Sequence, residues 1–200
     1  MKKTLCVYLH GFGDSAAGWA ELAPKISAYF SSDAETLILD APFDTGFGGY
    51  KWFDLFDDKG NPKYDDDAGV NFSINYVKEK IAAHCAHRGP QDYDIILIGH
   101  SQGAFMSLLL TLTGVVPASR AVSICGFYPD VALAQGLKNK ATPILWLAGA
   151  KDDVLPSDLS DSYKALQVSG IPITYYNDPD SDHNYWSPAM FAELSKWAKK

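Results

Sequence analysis

The chain has no apolar run approaching the roughly 20 residues that a bilayer-spanning helix needs, so integral membrane association is not expected. Cysteine is scarce: Cys6, Cys85 and Cys125 are widely spaced and odd in number. That pattern is neither a disulfide framework nor a zinc signature, so no metal is expected. The three read as reduced core thiols of a cytoplasmic protein. Positive charge is also in deficit. Lys and Arg total 17 against 24 Asp and Glu, for a net charge of −7. This argues against nucleic acid or an anionic membrane surface as partner. A secretory leader is not expected either. Met1-Lys2-Lys3 precedes only a short apolar run, Thr4 to Leu9, with no small-residue cleavage site behind it. Internal repeats are lacking, and no linker marks a second domain. Residues 1–200 are therefore expected to form one domain.

What is present alternates between strand and helix patterns. Thr4–Leu9, Glu35–Leu39, Ile95–Ile98, Arg120–Cys125, Pro143–Ala148 and Ile171–Tyr176 read as buried strands. Between them lie helical periods. Trp19, Leu22, Ala23, Ile26 and Phe30 share one face, and Ile74, Val77, Ile81 and Cys85 share another over 71–88. Ala104 to Thr113 reads as a buried helix. Ser157 is placed to cap a helix carrying Leu159, Tyr163 and Leu166. Ser187-Pro188 opens the last helix, with Met190, Phe191, Leu194 and Trp197 inward. This alternation predicts an α/β fold with a mostly parallel central sheet, helices on both faces and no large cap domain.

Chemistry concentrates where Ile95–Ile98 runs into Gly99-His100-Ser101-Gln102-Gly103. A buried strand, a G-x-S-x-G turn and a helix make the nucleophile elbow of an α/β-hydrolase. The turn projects Ser101 from the sheet top, and the glycines let strand and helix backbones approach. The helix N-terminus favours an anion there. Upstream, His10-Gly11-Phe12-Gly13-Asp14 follows the first strand, at the sheet end where ligands bind in open α/β folds. By position, the amides of Phe12 and Gln102 are the expected oxyanion donors.

A serine nucleophile needs a base, and the base needs an acid to orient it. In this fold their order along the chain is Ser, acid, His. Of five histidines, His10 and His100 belong to the glycine turns, and His84 and His87 end a helix as surface residues. His183 alone follows the serine. The acid has several candidates: Asp152 and Asp153 after the Pro143–Ala148 strand, Asp178, Asp180 and Asp182 near the histidine, and Asp130 as an outsider. The stretch 42–70 is rich in glycine, aromatics and aspartate and has no period, which marks a functional connection. Its Lys51-Trp52-Phe53-Asp54-Leu55-Phe56 segment is expected to wall an apolar pocket, to pin the loop to the body, or to do both, with Trp52 and Phe53 foremost for the pocket. Its acids read as a solvated face.

Several blocks resemble the phospholipase/carboxylesterase family of α/β-hydrolases, which includes acyl-protein thioesterases. Leu9-His10-Gly11-Phe12-Gly13-Asp14 is similar to the family's L-H-G-x-G-D, Trp52-Phe53-Asp54 to W-F-D, and Gly99 to Gly103 to G-F-S-Q-G. Gly126-Phe127-Tyr128-Pro129 loosely matches G-Y-L-P, and Gly149 to Pro156 matches G-x-x-D-x-x-V-P. Together they span about residues 5 to 185. Departures are His100 for Phe, Ala104 for a second Gly, and Leu155 for Val. The resemblance implies Ser101, Asp152 and His183 as the triad, because Asp152 takes the fourth place of the G-x-x-D block. It implies the same oxyanion amides, Phe12 and Gln102, and needs no cofactor. The expected activity is hydrolysis of carboxylic esters or thioesters with an apolar acyl group. Trp52, Phe53, Tyr128 and Trp186 are expected to hold the acyl chain. Some family members pair through apolar surface near the site, so a homodimer through the Trp52–Phe56 region is one arrangement implied. The rival readings are a non-catalytic α/β-hydrolase-like binding protein, a peptidase, and a dienelactone-hydrolase-like lyase. A serine rather than a cysteine nucleophile disfavours the lyase.

Overall fold

The computed structural model describes residues 2–57, 59, 67–128 and 136–200. Strand β1 (Lys3–Leu9) leads through helices α1 (Ala16–Trp19) and α2 (Ala23–Phe30) to β2 (Glu35–Leu39). A two-stranded hairpin, β3 (Phe43–Asp44) with β4 (Tyr50–Lys51), precedes α3 (Asp67–His84). Then come β5 (Tyr93–His100), α4 (Gln102–Leu112), β6 (Ala118–Ile124) and β7 (Ile144–Gly149). Short helices α5 (Ser157–Ser160) and α6 (Tyr163–Val168), strand β8 (Ile173–Asp178) and helix α7 (Pro188–Ala198) complete the chain.

The main sheet has strand order β2-β1-β5-β6-β7-β8, and every neighbouring pair is parallel. The side chains divide by the two-residue period of a strand. Leu5, Val7, Leu9, Ile95, Leu97 and Trp146 face a core built with α3, α4, α5 and α6. Cys6, Tyr8, Ile96, Ile98, Leu145 and Leu147 face a second core with α1, α2 and α7. Apolar residues on both faces of each strand are what a sheet covered on both sides requires. Helix α4 is buried at every position, because it lies behind the strand it follows. All three cysteines are buried and unpaired.

Local differences from the sequence expectation have physical causes. The expected helix around residues 19–30 is broken into α1 and α2. Pro24 sits at the start of α2, where its ring forbids a continuous helix through Ala20. The helix after β7 is likewise split, and Pro156 rather than Ser157 takes the cap position, without a side-chain cap bond. His84 is half-buried and hydrogen-bonds Glu35 at 2.8 Å, so it is a tethered residue rather than a free surface one. Asp130, with Pro129 and the acids at 58, 65 and 66, lies outside the described residues. Among the described residues, no helix is long and apolar enough to cross a membrane.

Candidate active site

The C-terminal ends of β1, β5, β6 and β7 converge with the loop after β8. Ser101 stands between β5 and α4 with φ 51° and ψ −116°. An L-residue reaches that backbone region only under strain, and the close packing around it enforces the conformation. A side chain on Gly99 would meet the Gly103 carbonyl at 2.1 Å, and one on Gly103 would meet the Leu9 carbonyl at 2.0 Å. Strand, turn and helix therefore pack backbone to backbone, and only glycine fits at either place. The Ser101 amide closes the turn on the Ile124 carbonyl at 3.0 Å.

Ser101 Oγ lies 3.0 Å from His183 Nε2, and His183 Nδ1 lies 2.8 Å from Asp152 Oδ2. The other Asp152 oxygen accepts the Val154 and Leu155 amides at 3.0 and 3.2 Å. Burial alone would raise the Asp152 carboxyl. The His183 imidazole and those two amides outweigh burial and hold it below the usual carboxylate range. The imidazole therefore has an acceptor on one nitrogen and a hydroxyl on the other. Since the carboxylate can only accept, the His183 proton sits on Nδ1 and Nε2 is free to take the serine proton.

None of the other described aspartate candidates bonds the His183 ring. Asp153 is exposed. Asp178 is buried and accepts from the Ser187 hydroxyl and the Asp180 amide. Asp180 pairs with Lys151 at 3.2 Å. Asp182 accepts the Asn184 and Tyr185 amides at 2.8 and 2.7 Å, which folds the turn that presents His183.

The Gly11–Asp14 loop lies against the serine. A Cβ on Gly11 would stand 3.5 Å from Ser101 Cβ. Among the described residues the amides of Phe12 and Gln102 donate to no acceptor. His10 fixes this loop from behind. Its Nδ1 meets the Gly11 carbonyl at 2.7 Å and its Nε2 accepts the Ala41 amide at 3.0 Å. His100 is buried, with Nε2 2.8 Å from the His183 carbonyl. A carbonyl only accepts, so His100 carries its proton on Nε2. Burial, and then the neighbouring His183 ring, lower its pKa to about 4.

The cleft over Ser101 holds about 570 Å³. Its apolar walls are Leu55, Phe56, Phe127, Val154, Leu155 and Leu159. The expected pocket residues lie elsewhere. Trp52 is fully buried, with its indole N–H donated to the His10 carbonyl at 2.8 Å. Phe53 is buried edge-on against Phe105. Tyr128 is buried beside the same ring. Trp186 packs tilted against Trp19 and edge-on to His100, and it lines a neighbouring groove. The tryptophan and phenylalanine of the W-F-D block thus pin the loop, and the next two apolar residues, Leu55 and Phe56, reach the cleft. The apolar segment was visible in the sequence, but which of its residues face inward depends on the loop path, and that follows no period.

Cys125, Asp152 and His183 offer ligand atoms within 4.8 Å of one another. Asp152 and His183 are bonded to each other, and burial raises the Cys125 thiol to about 12.

Comparison with known proteins gives one answer. The family model described as Phospholipase/Carboxylesterase matches residues 1–197. Acyl-protein thioesterase 1 of Saccharomyces cerevisiae is 30% identical over 183 residues, covering 85% of this chain and 79% of that protein. The crystal structure of esterase PE8 superposes with a TM-score of 0.82 at 26% identity, covering 99% of this chain and 92% of that one. Acyl-protein thioesterase 2 of Zea mays, at 24% identity and a TM-score of 0.76, shares the fold over 100% of this chain and 94% of its own. The chain belongs to the phospholipase/carboxylesterase family of α/β-hydrolases, and it is a carboxylic ester hydrolase.

Proposed function

We propose that Ser101 is the nucleophile of a serine esterase, with His183 as general base and acid and Asp152 as its orienting partner. The observation that carries this reading is the continuous line of bonds from Ser101 Oγ through both nitrogens of His183 to Asp152, at 3.0 and 2.8 Å. The substrate is a carboxylic ester or thioester whose apolar acyl group lies along Leu55, Phe56, Phe127, Leu155 and Leu159. A mainly apolar wall supports this.

His183 Nε2 takes the Ser101 proton as Oγ attacks the carbonyl carbon. The carbonyl oxygen becomes an oxyanion facing the Phe12 and Gln102 amides, and the start of α4 adds its dipole. The Asp152 carboxylate stabilises the imidazolium that forms. His183 then protonates the departing alcohol or thiol, leaving an acyl group on Ser101. Water, deprotonated by the same nitrogen, releases the acid and restores the serine. The three buried free thiols support a reducing cytoplasm as the setting.

The test is Ser101→Ala with a short p-nitrophenyl ester and a fluorophosphonate probe. Turnover is expected to fall at least about 10³-fold, with labelling abolished. A variant that turns over and labels like the wild type overturns the assignment.

A further inference from the structure

Beside the cleft lies a second groove of about 330 Å³ that the acyl group does not need. The two recesses share Asp14, His100 and Asn184, so they join at the edge of the cleft that holds Ser101 and His183. The cleft continues along apolar aliphatic and phenyl walls. The groove is different in chemistry. It is lined by Trp19, Tyr185, Trp186 and Phe191, with the Asp14 carboxylate at its junction with the cleft. Trp186 sits 5.5 Å from Trp19 and 6.2 Å from Phe191, ring centre to ring centre, so the rings form one cluster. Tyr185 is 57% exposed at its rim.

Asp14 accepts the Ser15 amide at 2.7 Å. Among the described residues no lysine or arginine pairs with it. A half-buried carboxylate without a cation, in a groove lined by an aromatic cluster, is an environment that attracts a large, weakly hydrated cation. The net charge of −7 adds to that attraction and works against a polyanionic group. The groove also adjoins Asn184, next to His183, whose Nε2 delivers the proton to the departing group.

We propose that this groove is a leaving-group subsite for a quaternary ammonium group, so that the enzyme prefers esters and thioesters of cationic alcohols or thiols such as choline. The proposal rests on Ser101 being the nucleophile. It sets a clear order of substrates: cationic leaving groups first, neutral ones of the same shape next, and phosphate-bearing ones such as acyl-CoA last.

The experiment compares kcat/KM for butyrylthiocholine and for its neutral isostere, the 3,3-dimethylbutyl thioester of butyric acid. The cationic substrate is expected to win by roughly 5- to 30-fold, the size of one or two half-exposed cation–π contacts beside a carboxylate. Asp14→Asn keeps the oxygen that accepts the Ser15 amide and removes the charge. It should bring the ratio to within about threefold of unity, and Tyr185→Leu at the rim should lower it by a smaller factor. Each enzyme's own ratio is the readout, so a general loss of activity does not mimic the effect. Tetramethylammonium titration, followed by the fluorescence of Trp19 and Trp186, tests the groove without chemistry. A saturable response that weakens in Asp14→Asn supports the subsite. A wild-type ratio of one or less, a ratio that both variants leave unchanged, or no saturable response overturns it. Failure of the nucleophile assignment is separately visible, as p-nitrophenyl ester hydrolysis surviving in Ser101→Ala.

Discussion

The Gln102 side chain tethers a loop, apart from the oxyanion role proposed for its backbone amide, and Gln102→Ala separates the two. The side chain is fully buried. Its Oε1 accepts the Trp52 amide at 2.9 Å, and its Nε2 donates to the Phe53 carbonyl at 2.8 Å. The loop is also tied down by the Trp52 indole on the His10 carbonyl and by the Ser73 hydroxyl on the Trp52 carbonyl. Truncation leaves one backbone N–H and one C=O buried without partners. Each such group costs about 1–3 kcal/mol, so the variant should lose about 2–6 kcal/mol. At about 2–4 °C per kcal/mol for a chain of this size, the melting temperature should drop by roughly 5–20 °C. Gln102→Leu fills the space without restoring either bond, so it should recover only the cavity part of the loss. The backbone amide of residue 102 survives both changes. Leu55 and Phe56, which follow the tethered segment, lose their footing. KM for longer acyl chains should therefore rise more than kcat falls. Urea unfolding and steady-state kinetics on esters of increasing chain length measure both effects. A Gln102→Ala variant within about 0.5 kcal/mol of wild type would refute the tether, since surface-like substitutions stay in that range.

His100 gives a pH prediction. Its folded pKa of about 4 lies below the ordinary histidine value, so the unfolded chain binds the extra proton first as pH falls. The contribution is full above about pH 6.5 and is lost as pH drops toward 4, by at most roughly 3 kcal/mol. His100→Phe should flatten that part of the stability–pH curve by about one proton, and equal slopes in both proteins would refute it. Gly11→Ala tests the oxyanion loop. The new Cβ would lie 2.9 Å from His100 Nδ1, so either the loop with its Phe12 amide or the buried His100 ring must shift. Turnover should fall about 10- to 1000-fold while the unfolding midpoint changes little, the range seen on losing one oxyanion donor. Wild-type turnover would mean that the Phe12 amide is not a donor.

The parts of the site that were legible in the sequence are those set by local chain geometry. Gly99 and Gly103 mark a place where backbones touch. Ser101 between them stands at a strand end, and the chain order left His183 as the one eligible base. Strand composition predicted a sheet covered on both faces, because parallel strands bury both sides. Tertiary structure decided what depends on distant segments meeting. Asp152 and Asp153 are adjacent in sequence and equally acidic. Only the packing of the β7 turn against the loop after β8 turns Asp152 toward His183 and Asp153 toward solvent. Trp52 and Phe53, large and apolar, suited both a pocket wall and an anchor for the loop. They are anchors because Gln102, fifty residues away, accepts the Trp52 amide and donates to the Phe53 carbonyl on either side of the pair. The groove at Asp14 and Trp186 likewise exists only where α1, α7 and the His183 loop meet. Periodicity reports a residue's neighbours along its own element, whereas a site is assembled from contacts between elements.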